Sequence, residues 1–532
     1  MCRLALVAAA LFLSGPLSSN ALAFTTGYSF LDAQQSPLNY RVGGVAPRVP
    51  CKELLRFSGA HITILSAETI AAAGEVPEFC RVLGIIQPEV KFEVALPNSW
   101  NRRLYMRGNG GYAGEPLDAP PRVAQRNDAL RNGFVAVQTN TGHDAATEPL
   151  ATFAANPQKT IDYAFRSVHE TVQTAKRIVQ AYYDRPAAYS YFEGCSTGGR
   201  QGLMSAQRFP GDFDGIVVGA PVLNFTDSVL VGIWQARALN ATPIPPAKLQ
   251  LIAQAVYRKC DAADGLADGL IDDPRRCPFD PAADLPKCSG DKEDDGCFTS
   301  AQIGTLKALY GGIVSKGQPY FPGLLPGAEK VGVDFATLRQ KVSGWDDWVI
   351  GKSGPSRLLL YGEAFARYLA FSKTDPGYDS GKLDFDKDLT RMDDIRALLD
   401  ARDPDLSEFK SRGGKILMYF GWADTALSPL MGIDYYEKVT AKMGPATRDF
   451  YRLFMVPGMF HCRGGFGTDR FDAMTPLVAW VEAGAAPQRI PASLVEDGKT
   501  VRTRPLCPYP EVARYSGSGS VDDAANFSCS SP

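Results

Sequence analysis

The chain has 532 residues, 45% of them hydrophobic and 21% charged, with a formal net charge of −2 at pH 7. This is ordinary globular composition at a length beyond one small core, so two domains, or one domain with a large insertion, are expected. Near-neutral charge without a basic run argues against a nucleic-acid partner.

In residues 1–23, Arg3 precedes the apolar run from Leu4 to Leu13, and Ala21-Leu22-Ala23 forms a small-x-small cleavage site. That is the pattern of a secretory leader, too short to span a bilayer. No later stretch approaches 18 uncharged apolar residues, so the expectation is an exported chain, secreted or periplasmic, without a membrane anchor. Removing Cys2 with the leader leaves ten cysteines: Cys51, Cys80, Cys195, Cys260, Cys277, Cys288, Cys297, Cys462, Cys507 and Cys529. An even count in an exported protein predicts five disulfides. Spacing suggests the local pairs Cys260 with Cys277 and Cys288 with Cys297. Pairing of Cys507 with Cys529 would tie down the Ser/Gly loop between them. There is no Cys-x-x-Cys, which argues against zinc or redox use.

Along the chain, Phe92 to Leu96, Leu104 to Met106 and Phe134 to Thr139 read as strands, each ended by Gly, Pro or Asn. Between Ile161 and Asp184, apolar residues step by three and four, which predicts a long amphipathic helix. Ala188 to Phe192 reads as a buried strand, Gln201 to Arg208 as a helix and Gly215 to Gly219 as another strand. The alternation implies a mostly parallel sheet with helices on both faces. The rhythm breaks after Ala220-Pro221 and returns at the predicted strands Lys415 to Phe420 and Phe450 to Val456. Residues 225–395 are rich in Gly, Pro and Asp and hold four cysteines. They are expected to form an inserted lid, leaving residues 24–224 and 396–532 as the α/β catalytic domain.

The predicted strand at 188–192 runs into Gly194-Cys195-Ser196-Thr197-Gly198-Gly199-Arg200 and then into a helix. Strand, Gly-x-Ser-x-Gly and helix together define a nucleophile elbow, with small residues two positions either side of the serine. A serine hydroxyl needs a base, commonly a histidine held by a carboxylate. His461 follows the predicted strand at 450–456 and Asp424 follows the one at 415–420. The order Ser196, Asp424, His461 is that of α/β-hydrolases. His61 and His143 lie outside this order, and His169 falls within the long helix, where a structural role is expected. Asp424 could alternatively cap a turn. Cys195 precedes the serine and Cys462 follows the histidine. If the triad forms, these cysteines come together, and a bond between them would pin the elbow to the histidine loop.

The segments Gly-Cys-Ser-Thr-Gly-Gly-Arg, Gly-Trp-Ala-Asp (Gly421–Asp424) and Val-Pro-Gly-Met-Phe-His-Cys (Val456–Cys462) resemble the tannase and feruloyl esterase family. The likeness runs from about Cys51 to Cys529. It implies an α/β-hydrolase core with a lid, and serine esterases that act on small aromatic carboxylic esters. It also implies a disulfide between the two cysteines of the Cys-Ser and His-Cys elements. The acid moiety expected is phenolic, of feruloyl or galloyl type. Hydrolases of mono(hydroxyethyl) terephthalate belong to the same group. Where those would carry an arginine for the distal carboxylate, this chain offers Leu358 to Leu360, with Arg357 nearby, so terephthalate monoesters rank second.

Attack on an ester creates an oxyanion that needs preformed N–H donors. One expected donor is the backbone of Thr197. The other is Gly110 or Gly111 in Arg107–Tyr112, unless that stretch is a plain glycine turn. Within the lid, Asp261, Asp264 and Asp268 crowd into eight residues. A hard cation, calcium above others, would relieve their repulsion, although the spacing is not that of an EF-hand. A solvated acidic turn is the alternative. The family resemblance implies a structural calcium site here, with those three side chains and the carbonyls of Leu266 and Leu270 as ligands. Trp345, Trp348, Phe365 and Tyr368 are candidate pocket walls or lid core. Two rivals stand: a calcium-dependent binding protein on an inactive hydrolase fold, and an exported peptidase of the same fold.

Overall fold

The computed structural model describes residues 29–40, 44–334 and 337–532. The leader assigned to residues 1–23 lies outside them. Nine strands form one sheet: β1 (Ile62–Ile70), β2 (Phe79–Ile86), β3 (Val90–Pro97), β4 (Arg103–Arg107), β5 (Val135–Thr139), β6 (Tyr189–Cys195), β7 (Gly215–Gly219), β8 (Lys415–Gly421) and β9 (Tyr451–Val456). Their spatial order is β1-β2-β3-β5-β4-β6-β7-β8-β9. The run from β5 to β9 is parallel, and β1, β2 and β3 extend it antiparallel at one edge.

Strand alternation decides which side chains face which layer. Leu104 and Met106 of β4 join Phe192, Ile216, Val218, Ile416 and Met418 in one core. That core packs against α2 (Ser167–Tyr183) and α3 (Thr197–Arg208). Tyr105, between those two β4 residues, joins Tyr191, Val217, Leu417 and Phe454 on the opposite face. There they pack against α1 (Pro120–Arg131) and α9 (Met474–Ala483). The expected long helix is present, with one modification. A π-helical turn, Asp162–Arg166, leads into α2, and Asp184 closes it in a left-handed conformation.

All nine strands lie outside residues 225–395. The insertion between β7 and β8 holds α4 (Phe225–Ala241), α5 (Leu249–Cys260), α6 (Ser300–Gly311) and α7 (Arg357–Tyr368). Helices α4 and α7 cross closely because their contact points are glycine. A Cβ at Gly232 would stand 2.2 Å from the Leu358 carbonyl oxygen, and one at Gly362 would stand 2.6 Å from that of Val229. The stems of the insertion are tied together: Ala401 N–H donates to Leu223 O at 2.8 Å, and Thr226 N–H to Asp400 Oδ1 at 3.1 Å. A further helix, α8 (Leu430–Met443), follows β8. Among the described residues no helix is long and apolar enough to cross a membrane.

Five disulfides form: Cys51–Cys80, Cys195–Cys462, Cys260–Cys277, Cys288–Cys297 and Cys507–Cys529. They use all ten cysteines from Cys51 to Cys529.

Candidate active site

Ser196 sits between β6 and α3 with φ 61° and ψ −121°. A β-substituted residue pays strain to hold a positive φ, and such strain concentrates where a side chain must be presented. The turn is tight enough that a Cβ on Gly194 would fall 2.4 Å from the Gly198 carbonyl carbon. Helix α3 therefore begins at Thr197 itself, earlier than the apolar pattern from Gln201 suggests, because the elbow's small residues belong to its first turn. Ser196 N–H donates to Gly219 O at 3.0 Å, which fixes the elbow to the end of β7.

Asp424 and His461 lie in the loops after β8 and β9. His461 Nδ1 is 2.7 Å from Asp424 Oδ2, and both side chains are buried. The other oxygen, Asp424 Oδ1, accepts the N–H groups of Ala426 and Leu427, each at 2.9 Å. Asp424 thus caps its turn and holds the histidine; the two expectations for it coexist. The loops themselves interlock: Ala423 N–H donates to Met459 O at 3.1 Å and Trp422 N–H to Val456 O at 2.9 Å. The Cys195–Cys462 bond joins the residue before the serine to the residue after the histidine, across 267 positions of sequence. Ser196 and His461 face one narrow cleft, lined also by Gly111, Thr197, Val222, Phe225, Ser228, Val229, Trp348, Leu358, Tyr361, Ala426 and Leu427.

The loop after β4 distinguishes the two glycines. Gly110 N–H donates to Glu115 Oε1 at 2.8 Å, so Gly110 is corrected as an oxyanion donor: its N–H is already committed. Gly111, at φ +53°, lines the cleft, and its carbonyl accepts Thr197 Oγ1 at 2.6 Å and the Tyr163 hydroxyl at 3.0 Å. These bonds lock the loop against the start of α3. Burial alone would raise the Glu115 carboxyl, but Arg122 and the Asn109 and Gly110 donors hold it below its usual range.

The remaining histidines have other settings. His169 Nδ1 is 2.9 Å from Asp212 Oδ2 and its ring stacks on Phe209. His143 is buried against Phe153. Of the four lid aromatics, Trp348 reaches the cleft and meets the His461 ring edge to face at 5.5 Å. Trp345 is wholly buried beside Tyr310, and Phe365 packs behind Phe225. Tyr368 is half-buried outside the cleft lining. Arg357 lies over the Trp348 ring and pairs with Asp347 at 3.0 Å. Sequence reasoning missed Val222, Phe225, Tyr361, Ala426 and Leu427; the last two follow Asp424 by two and three positions, and that nearness was the one usable signal.

The acidic segment in the lid follows α5 and is closed by Cys260–Cys277. Asp261, Asp264 and Asp268 each accept a backbone N–H, from Gly269, Leu266 and Leu270 respectively. Asp268 also pairs with Arg504, and Lys330 Nζ donates to Gly269 O at 2.6 Å. Asp264, Asp268 and Asp272 line one cavity. Burial, then the neighbouring carboxylates, raise the Asp264 carboxyl above its usual range. Among the described residues no three carboxylate, imidazole or thiol groups already stand together as metal ligands.

A mostly parallel sheet, an elbow serine and a histidine–carboxylate pair at its loop edge place the molecule among the α/β-hydrolases. The chain belongs to the tannase and feruloyl esterase family, whose model, "Tannase and feruloyl esterase", matches residues 74–530. It is a carboxylic ester hydrolase. It is 37% identical over 530 residues to a mono(2-hydroxyethyl) terephthalate hydrolase of Piscinibacter sakaiensis, covering 88% of this chain and 87% of that one. It is 30% identical over 460 residues to feruloyl esterase B of Aspergillus niger, covering 82% and 83%. Among solved structures, feruloyl esterase B from Aspergillus oryzae superposes with a TM-score of 0.76 at 27% identity, covering 90% of this chain and 99% of that one.

Proposed function

We propose that the protein is an exported serine esterase that cleaves esters of phenolic aromatic acids through an acyl-enzyme. The observation that carries this is that Ser196 and His461 face one cleft, with His461 held by Asp424 and Cys195 bonded to Cys462. Asp424 fixes the imidazole with Nδ1 protonated, which leaves Nε2 to take the Ser196 proton. The alkoxide attacks the ester carbonyl. The oxyanion is received by the backbone N–H groups of Thr197 and Gly111, each worth on the order of 3 kcal/mol. His461 then protonates the departing alcohol, and water attacks the acyl-enzyme by the same base.

The cleft walls Val222, Phe225, Val229, Trp348, Leu358 and Tyr361 suit a flat aromatic acyl group. A terephthalate monoester is the second reading, favoured by the 37% identical relative. Its distal carboxylate finds no Lys or Arg among the cleft-lining residues, because Arg357 pairs with Asp347 and stacks on Trp348. Five disulfides support export. Calcium at Asp261, Asp264 and Asp268, with the Leu266 and Leu270 carbonyls, is part of the proposal. Its support is the donor set itself: hard oxygen ligands crowded in a loop turned by Gly265 and Gly269 at positive φ. A bound cation would supply charge neutralisation there.

The test is turnover of methyl ferulate, methyl gallate, a terephthalate monoester and an aminoacyl amide side by side. The phenolic esters should lead, and Ser196→Ala should abolish all turnover while the protein stays folded. Amide cleavage without aryl-ester cleavage would overturn the esterase reading in favour of a peptidase.

A further inference from the structure

We propose that Arg200 is a positioning residue for aromatic acyl groups, fixing both lid stems, and through Phe225 one cleft wall, against the helix that begins beside Ser196. This rests on the esterase reading above. Arg200 lies in the first turn of α3, where its N–H donates to Ser196 O at 3.0 Å, and its side chain is fully buried. Nη1 donates to Ala164 O at 3.0 Å and Leu399 O at 3.2 Å, and Nη2 to Tyr163 O at 3.2 Å. The guanidinium carbon stands 4.9 Å from the Tyr163 ring centre and 5.4 Å from that of Phe225.

Each partner belongs to a different part of the machinery. Tyr163 and Ala164 lie in the π-helical turn, which disturbs the regular backbone ladder and presents carbonyls to other donors. The Tyr163 hydroxyl also bonds Gly111 O, which Thr197 Oγ1 holds independently of the guanidinium. Phe225 opens the first lid helix and lines the cleft, whereas Leu399 lies in the returning stem, next to the Asp400 and Ala401 ties. Burying a guanidinium against carbonyls and ring faces is costly compared with an apolar side chain of similar size. Its planar fork is what lets one residue address three carbonyls; an ammonium at the same place is a point charge and cannot. An acetyl group occupies only the space at Ser196. An aromatic acyl group must lie along Phe225, so loosening this clamp should penalise the second and spare the first.

The experiment compares 4-nitrophenyl acetate with the 4-nitrophenyl ester of a cinnamic acid, which share a leaving group, on Arg200→Lys, Phe225→Leu and the double variant. Each single change should lower the cinnamoyl-to-acetyl ratio of kcat/KM by about tenfold, chiefly through KM, and the double should fall little further. In Arg200→Lys, a residue outside the cleft lining, labelling of Ser196 by a fluorophosphonate should stay within about threefold of the parent, since the nucleophile is untouched and Thr197 Oγ1 still holds Gly111 O. Equal losses on both esters, an unchanged ratio, or multiplying effects in the double variant would overturn the proposal. If Arg200→Lys does not fold, Arg200→Met, which removes the buried charge, is read by the same ratio. Ser196→Ala that still hydrolyses both esters would defeat the underlying esterase reading instead.

Discussion

Asp424 carries two jobs with two oxygens: one caps the Ala426–Leu427 turn and the other bonds His461 Nδ1. Asp424→Asn should therefore keep the turn but present the wrong tautomer, lowering kcat by on the order of 10⁴-fold with an unchanged melting temperature. A stopped assay against phenolic esters reads the first and a thermal scan the second. Glu329 is a different kind of residue. It is wholly buried, accepts the Gly327 N–H at 2.7 Å and the Tyr310 hydroxyl, and burial pushes its carboxyl up to about 7. A folded-state value above the unfolded one stabilises the protein below about 4.5, and that contribution is lost as pH rises through about 7. The melting temperature should accordingly fall between pH 5 and 8, and Glu329→Gln should flatten that fall. An identical slope in the variant would show that Glu329 does not titrate there.

At the scale of elements, the Cys195–Cys462 bond links the strand–turn–helix of the nucleophile to the loop after β9. The loop after β9 is already tied to the loop after β8 by bonds such as Ala423 N–H to Met459 O, so the disulfide's main effect is expected on geometry. Replacing both cysteines by alanine should cost about 2–5 kcal/mol of stability and, through misplacement of His461, on the order of 10²-fold in kcat/KM. Denaturant melts and kinetics on the same preparation separate the two effects. The elements around this bond were legible because each carries its own local signal. β6, β7, β8 and β9 are short apolar runs stopped by Gly or Pro, and the elbow motif needs glycine for a steric reason. β1 was not read, because an edge strand alternates with Thr, Ser and Glu and shows no long apolar run; β2 was not read either, its short run Val82 to Ile86 being interrupted by Gly84. The choice between Gly110 and Gly111 was equally hidden. It is decided by Glu115, whose carboxylate reaches back to Gly110 only once the loop has folded.

Over the whole molecule, the parallel sheet and the order Ser196, Asp424, His461 could be read from alternation and motif placement. The substrate cleft could not. Most of its walls come from α4, α7 and the segment around Trp348, elements of the insertion that pack closely through Gly232 and Gly362. The lid also meets the histidine loop directly, with Val333 and Gly465 exchanging hydrogen bonds of 2.8 and 2.9 Å, and Leu270 of the acidic segment packed on Gly458. Loss of the calcium proposed for the Asp261–Leu270 segment is thus expected to reach the active site. Chelation should lower the melting temperature and the esterase rate together, and added Ca²⁺ should restore both, the stability rising with the logarithm of its concentration above Kd. No change on chelation would return that segment to a solvated acidic turn.

The most direct measurement is the site of covalent capture. The protein should be treated with a fluorophosphonate and its peptides mapped by mass. A single adduct on Ser196, formed slowly or not at all when His461 is replaced by alanine, is the predicted result. Absence of an adduct on Ser196 while phenolic-ester turnover continues would contradict the account.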